Sequence, residues 1–157
     1  MKTNIFKFLI SILVCEGAGI IGSIFTAKSI PTWYAALNKP AINPPNFIFA
    51  PVWTTLFFLM GVSLFLVWKK IGENPKAKNT IILFLTHLFV NVLWSVLFFG
   101  LNNPFLAFLC IILFWFLILV CIVKFYRINK VAGLILLPYI LWVSFASVLN
   151  FLIWRLN

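Results

Sequence analysis

The sequence predicts an all-α polytopic membrane protein, a bundle of five transmembrane helices. Three observations carry that prediction. The first is composition: of 157 residues, 64% are apolar and only 9% are charged. A soluble domain keeps roughly a quarter of its residues charged, so this chain lacks the polar surface to cover a water-soluble globule. The mean hydropathy of +1.16 agrees. The second is length: five apolar runs are each long enough to cross a hydrocarbon core of roughly 30 Å. They do not alternate polar and apolar as barrel strands do. The third is the placement of charge. The 12 Lys+Arg against 2 Asp+Glu give +10, but they sit in short clusters between the runs. That is where topology signals belong, and it excludes a nucleic-acid partner.

The first span is expected over 5–27. Lys2 and Lys7 precede an apolar stretch that at first resembles a signal peptide. It continues past Glu16 to Ala27, beyond a signal's usual apolar length, and reads as a retained helix. The second span, 47–68, carries Pro51 in its first turn, where a missing N–H costs least. The third covers 80–99. The fourth, 104–126, begins with Pro104 after Asn102-Asn103. The fifth covers 131–154. The whole chain, 1–157, forms one domain.

The five spans place Lys2, Lys7, Lys69, Lys70, Lys76, Lys78, Lys124, Arg127 and Lys130 on one side, and Lys28, Lys39 and Arg155 on the other. By the positive-inside rule the N-terminus is cytoplasmic and the C-terminus outside, in a bacterial-type plasma membrane. Cys15, Cys110 and Cys121 all lie within apolar runs without metal-ligand spacing, and read as small core residues. The first loop, 28–46, differs from the others. It holds four prolines (Pro31, Pro40, Pro44 and Pro45) with Trp33, Tyr34 and Leu37. It is either a loop lying in the membrane interface or a semi-rigid lid over a cavity between the helices.

Helical spacing groups further residues. On the fifth span Pro138, Trp142, Ala146, Asn150 and Trp154 recur every four residues. On the third, His87, Asn91, Trp94, Ser95 and Phe98 share a face. On the second, Trp53, Phe57, Met60, Gly61, Leu64 and Trp68 form a stripe. Ordinary packing explains most aromatic stripes. Here Asn91, Ser95 and Asn150 are costly against lipid and should face the bundle interior. Aromatic walls with a few polar groups make a small-molecule site. Glu16, mid-span beside Ala18, Gly19, Gly22 and Ser23, is either a packing residue or a proton or ligand site. His87, the sole histidine, is a candidate iron ligand, but no second metal ligand recurs nearby, and a hydrogen-bonded core role suits it better. No metal site is expected. There is no Ser/His/Asp set, paired carboxylate or glycine-rich phosphate loop.

The motifs then meet a known family. The first loop reads Trp33-Tyr34-x-x-Leu37-x-Lys39-Pro40, followed by Pro44-Pro45 and Pro51-Val52-Trp53. The third span reads Asn91-x-x-Trp94-Ser95-x-x-Phe98-Phe99-Gly100. The fifth reads Leu137-Pro138-Tyr139-x-x-Trp142-x-x-Phe145-Ala146-x-x-Leu149-Asn150-x-x-Ile153-Trp154. In order and spacing, from Cys15 to Arg155, these resemble the TspO/MBR family, the tryptophan-rich sensory proteins related to the mitochondrial translocator protein.

The resemblance implies a five-helix bundle, often a homodimer, with a pocket closed by the first loop. It implies ligands such as protoporphyrin IX, haem, and isoquinoline or benzodiazepine drugs. By motif, the ligand-binding residues are Tyr34, Trp53, Asn91, Trp94, Ser95, Trp142, Ala146 and Asn150. The chain departs from the family at Ile42, often Trp, and at His87, often Gln. Its C-terminal segment lacks the tyrosine of the sterol-recognition pattern, so cholesterol is not expected. The function implied is a membrane receptor for porphyrin-type tetrapyrroles, needing no cofactor, with the tetrapyrrole itself as ligand. Lys28 or Lys39 is a candidate partner for its propionates. Two alternatives stand beside it. One is light- and oxygen-dependent porphyrin degradation, with Trp53 or Trp142 as the catalytic candidates. The other is small-molecule transport.

Overall fold

The computed structural model of the protein describes residues 2–157. Its elements are α1 (Lys2–Ser29), α2 (Trp33–Ala36), α3 (Phe49–Trp68), α4 (Lys76–Ser95), α5 (Pro104–Ile128), α6 (Lys130–Ile135) and α7 (Leu137–Leu156). Five stretches are long and apolar enough to cross a membrane: Thr3–Ser29, Asn46–Trp68, Lys76–Gly100, Pro104–Ile128 and Lys130–Leu156. Each agrees with a span read from the sequence. Large apolar residues such as Leu13, Phe89, Phe116 and Leu141 are exposed along them, as a surface solvated by lipid requires.

Local chemistry sets the helix starts. Asn103 accepts a hydrogen bond from the Leu106 N–H at 3.0 Å, and Pro104 follows in the first turn. Asn129 caps α6 in the same way through the Ala132 N–H at 3.1 Å. Such caps satisfy N–H groups that have no partner within the helix. Asn102 takes φ 53°, the left-handed conformation that turns the chain between α4 and α5.

Two spans are less regular than their apolar runs suggest. The third widens after Ser95 into a π-helical turn, Val96–Gly100, where the Leu101 N–H reaches the Val96 carbonyl at 2.8 Å. The fifth is two helices that break at Leu136. Pro138 has no N–H to continue the ladder, and its ring crowds the carbonyl four residues earlier. This break shapes the bundle. α6 packs on α3, whereas α7 packs on α5 and its backbone stays away from that of α3. Aromatic side chains reach across, with Phe49 6.0 Å from Trp142 and Trp53 6.4 Å from Tyr139 between ring centroids.

α1 packs on α3 and α4, and α4 on α5, completing the ring of helices. Gly61 lets α1 and α3 approach closely: a Cβ there would stand 2.9 Å from Ile12 Cα and 3.1 Å from the Ser11 carbonyl oxygen. The small residues of α1 serve a similar purpose higher up, where Gly19 lies against the Phe57 ring. Buried Cys15, Cys110 and Cys121 are free core residues.

Candidate functional site

A cavity of about 290 Å³ opens where α3 and α7 diverge, under the first loop. All eight residues predicted for ligand binding line it: Tyr34, Trp53, Asn91, Trp94, Ser95, Trp142, Ala146 and Asn150. The outer parts of the predicted stripes do not. Met60, Gly61 and Leu64 belong to the core below the cavity. Trp154 packs outside it, 4.9 Å from Phe105 and 5.8 Å from Phe108.

Each wall has a structural cause. On α3, the Trp53 ring stacks with Trp94 at 6.5 Å and 29°. On α4, the π-helical turn brings the consecutive residues Phe98 and Phe99 to the cavity together; a regular helix separates neighbours by about 100°. On α7, Asn150 accepts from Trp94 Nε1 at 3.0 Å and donates to the Pro104 carbonyl at 2.7 Å. Asn150 thereby joins α7 to α4 and to the start of α5.

A second polar chain lies behind the wall. Phe84's carbonyl can only accept, so His87 Nδ1, 3.0 Å away, carries the proton. Nε2 is then the acceptor for the Tyr139 hydroxyl at 2.8 Å, and the Tyr139 oxygen accepts from Asn91 Nδ2 at 3.0 Å. The three bonds are consistent in direction. His87 is buried, does not line the cavity, and has both ring nitrogens engaged. It is held as a core group, in no position to ligate an iron in the cavity.

The first loop closes one end. Tyr34 is 4% exposed, and its hydroxyl donates to Asn43 Oδ1 at 2.9 Å. Burial raises its phenol above the ordinary value of 10.0, against the opposing effect of the Asn43 hydrogen bond. Trp33 packs edge-on to Phe98 at 5.6 Å. The Asn38 N–H donates to Asn157 Oδ1 at 2.9 Å, and Asn157 Nδ2 returns a bond to the Asn38 carbonyl at 3.0 Å. The loop is thus clasped to the end of α7. Lys39 Nζ is bound to the Ala35 and Leu37 carbonyls, each at 3.2 Å. Ile42 is exposed and off the cavity.

From α1 the sequence offered only Glu16, as either a packing residue or a proton or ligand site; Glu16, Gly19, Gly22 and Ser23 all line the cavity. Within the two helices, the exposed lining residues are Ile20 and Ser23 of α1 and Ala50 and Thr54 of α3. They mark a side opening between α1 and α3. Trp142 Nε1 is buried with no hydrogen-bond partner among the described residues.

Comparison with known proteins places these features in context. The profile of the TspO/MBR family matches residues 11–155. A tryptophan-rich protein TspO of Archaeoglobus fulgidus is 45% identical, covering 98% of this chain and 99% of that protein. One of the same name from Chlorobaculum tepidum is 41% identical, over 100% and 99%. The human translocator protein is 34% identical, over 87% of this chain and 82% of its own length.

Proposed function

The chain belongs to the TspO/MBR family and is an integral membrane protein, and on that premise we propose that it is a receptor for a planar, porphyrin-type tetrapyrrole bound in the cavity under the first loop. The observation that carries this reading is the convergence of the eight motif residues on one space. Trp53, Trp94 and Trp142 offer flat apolar surface for stacking on a macrocycle. The unpartnered Trp142 N–H suits an acceptor on the ligand.

The volume refines the pose. At about 290 Å³ the space sits at the lower edge of the roughly 300–1,000 Å³ usual for small-molecule sites. A tetrapyrrole would insert one edge and leave the other in the side opening between α1 and α3. Among the described residues no lysine or arginine lines the cavity, so its propionates belong at the rim, in water or among headgroups. The charge bias supports an orientation with the basic end of the bundle in the cytoplasm, in which the cavity would lie towards the outer face.

The test is a titration of the purified protein with protoporphyrin IX, read by quenching of its tryptophans. Ala146→Phe fills the cavity from α7 and should weaken binding about tenfold or more. Trp142→Phe should weaken it several-fold. Parent-like affinity in both variants rejects this site.

A further inference from the structure

The cavity does not share the charge of the chain. The protein carries +10, yet the charged residue lining the cavity is an acid, Glu16. The other acidic residue, Glu73, pairs with Lys70 at 2.6 Å in the second loop. Glu16 has no ion-pair partner among the described residues. It stands midway along α1, at the depth where an unpaired carboxylate is most costly. A cation brought by a ligand would offset that cost.

The neighbouring wall is suited to a cation. Trp53 and Trp94 stack at 6.5 Å, and Phe57 lies 5.7 Å from Trp53. Gly19, one turn along α1 from Glu16, lies against the Phe57 ring, and Glu16 lines the same cavity as Phe57, Trp53 and Trp94. Tryptophan faces attract desolvated cations more strongly than other side-chain rings do. The side opening between α1 and α3, marked by Ile20, Ser23, Ala50 and Thr54, gives access from the bilayer.

We infer that the cavity binds hydrophobic organic cations, aromatic amines or quaternary ammonium compounds, with Glu16 as counter-ion and Trp53 and Trp94 as the aromatic wall. This ligand class does not depend on the tetrapyrrole reading.

The experiment uses the full chain in zwitterionic phosphatidylcholine nanodiscs. Tryptophan fluorescence is titrated with phenyltrimethylammonium and with its neutral isostere tert-butylbenzene. Partition into lipid is common to parent and variant, and cancels when their cation-to-neutral affinity ratios are compared. The ratio should fall about tenfold or more in Glu16→Gln, the loss of one desolvated charge pair. Glu16→Asp should keep much of it. Equal ratios in parent and Glu16→Gln overturn the inference. A parent that takes up tert-butylbenzene but no cation overturns it without any variant, and so does full cation affinity in Glu16→Ser if the Gln form does not fold. Protoporphyrin IX quenching, run in the same discs, reports separately on the tetrapyrrole reading.

Discussion

Tyr139→Phe removes one oxygen atom and tests the polar chain behind the cavity. In the parent that oxygen accepts from Asn91 Nδ2 at 3.0 Å and donates to His87 Nε2 at 2.8 Å. Both bonds run between α4 and α7. Interhelical hydrogen bonds in membranes average about 0.6 kcal/mol, because the unfolded state in the bilayer also finds partners. Two such bonds give about 1.2 kcal/mol. Stranding a buried donor or acceptor costs about 1–3 kcal/mol. His87 Nε2 has no other partner, while Asn91 can turn its amide toward the cavity. One stranded group therefore puts the loss at about 1–3 kcal/mol. Reversible unfolding in mixed micelles, followed by tryptophan fluorescence, measures it. A double-mutant cycle with His87→Leu separates the pair from loss of packing. Removing both partners leaves no stranded nitrogen, so the double variant should be more stable than the summed singles by at least about 0.5 kcal/mol. Additive effects, or a Tyr139→Phe loss below about 0.3 kcal/mol, would refute the directional chain.

Three further outcomes follow from the packing and the loop. Gly61→Ala should destabilise by about 1–3 kcal/mol, because its Cβ would meet the Ile12 backbone; Gly72→Ala, which meets nothing within 4 Å, should be neutral in the same assay. Asn157→Ala breaks the clasp to Asn38, so limited proteolysis should cut the first loop several-fold faster while global stability changes by less than about 1 kcal/mol. Tyr34 has a raised phenol, so the folded loop binds a proton that the open loop releases above about pH 10; loop closure should be intact below that pH and lost as pH rises through the folded value, and Tyr34→Phe should abolish this alkaline opening.

The spans were legible because each is a long apolar run bounded by polar residues, and lipid accepts apolar side chains on every face. The α4 and α7 walls were legible for another reason: Asn91, Ser95 and Asn150 have nowhere to go but inward. The α1 wall was not. Gly19 and Gly22 read equally well as sites of helix packing, and Gly19 does pack on Phe57, so the same residues serve contact and cavity together. The break at Leu136 was half visible. Pro138 signals an interruption, but the parting of α7 from α3 depends on how α6 packs. The clasp between Asn38 and Asn157 spans 119 residues, and no local pattern announces it.

The polar groups of the bundle divide into those already bonded and those left for a ligand, and the division separates folding from binding. Asn150 spends its amide on Trp94 and Pro104, so although it lines the cavity its loss should fall first on the packing of α4, α5 and α7. Asn91 gives one N–H to Tyr139 and turns part of its amide to the cavity, so its substitution should affect both. Glu16 has no ion-pair partner within the described residues, and the Trp142 N–H has no hydrogen bond; removing either takes no internal polar contact away. A site built on such groups gains stability when it is filled, because the ligand supplies partners that the chain lacks. The unliganded protein should therefore show a larger rise in unfolding temperature on ligand binding in the parent than in Glu16→Gln or Trp142→Phe. In Asn150→Ala the unliganded protein itself should already be less stable. If Asn150→Ala were as stable as the parent and lost only affinity, the assignment of its amide to the fold would be wrong.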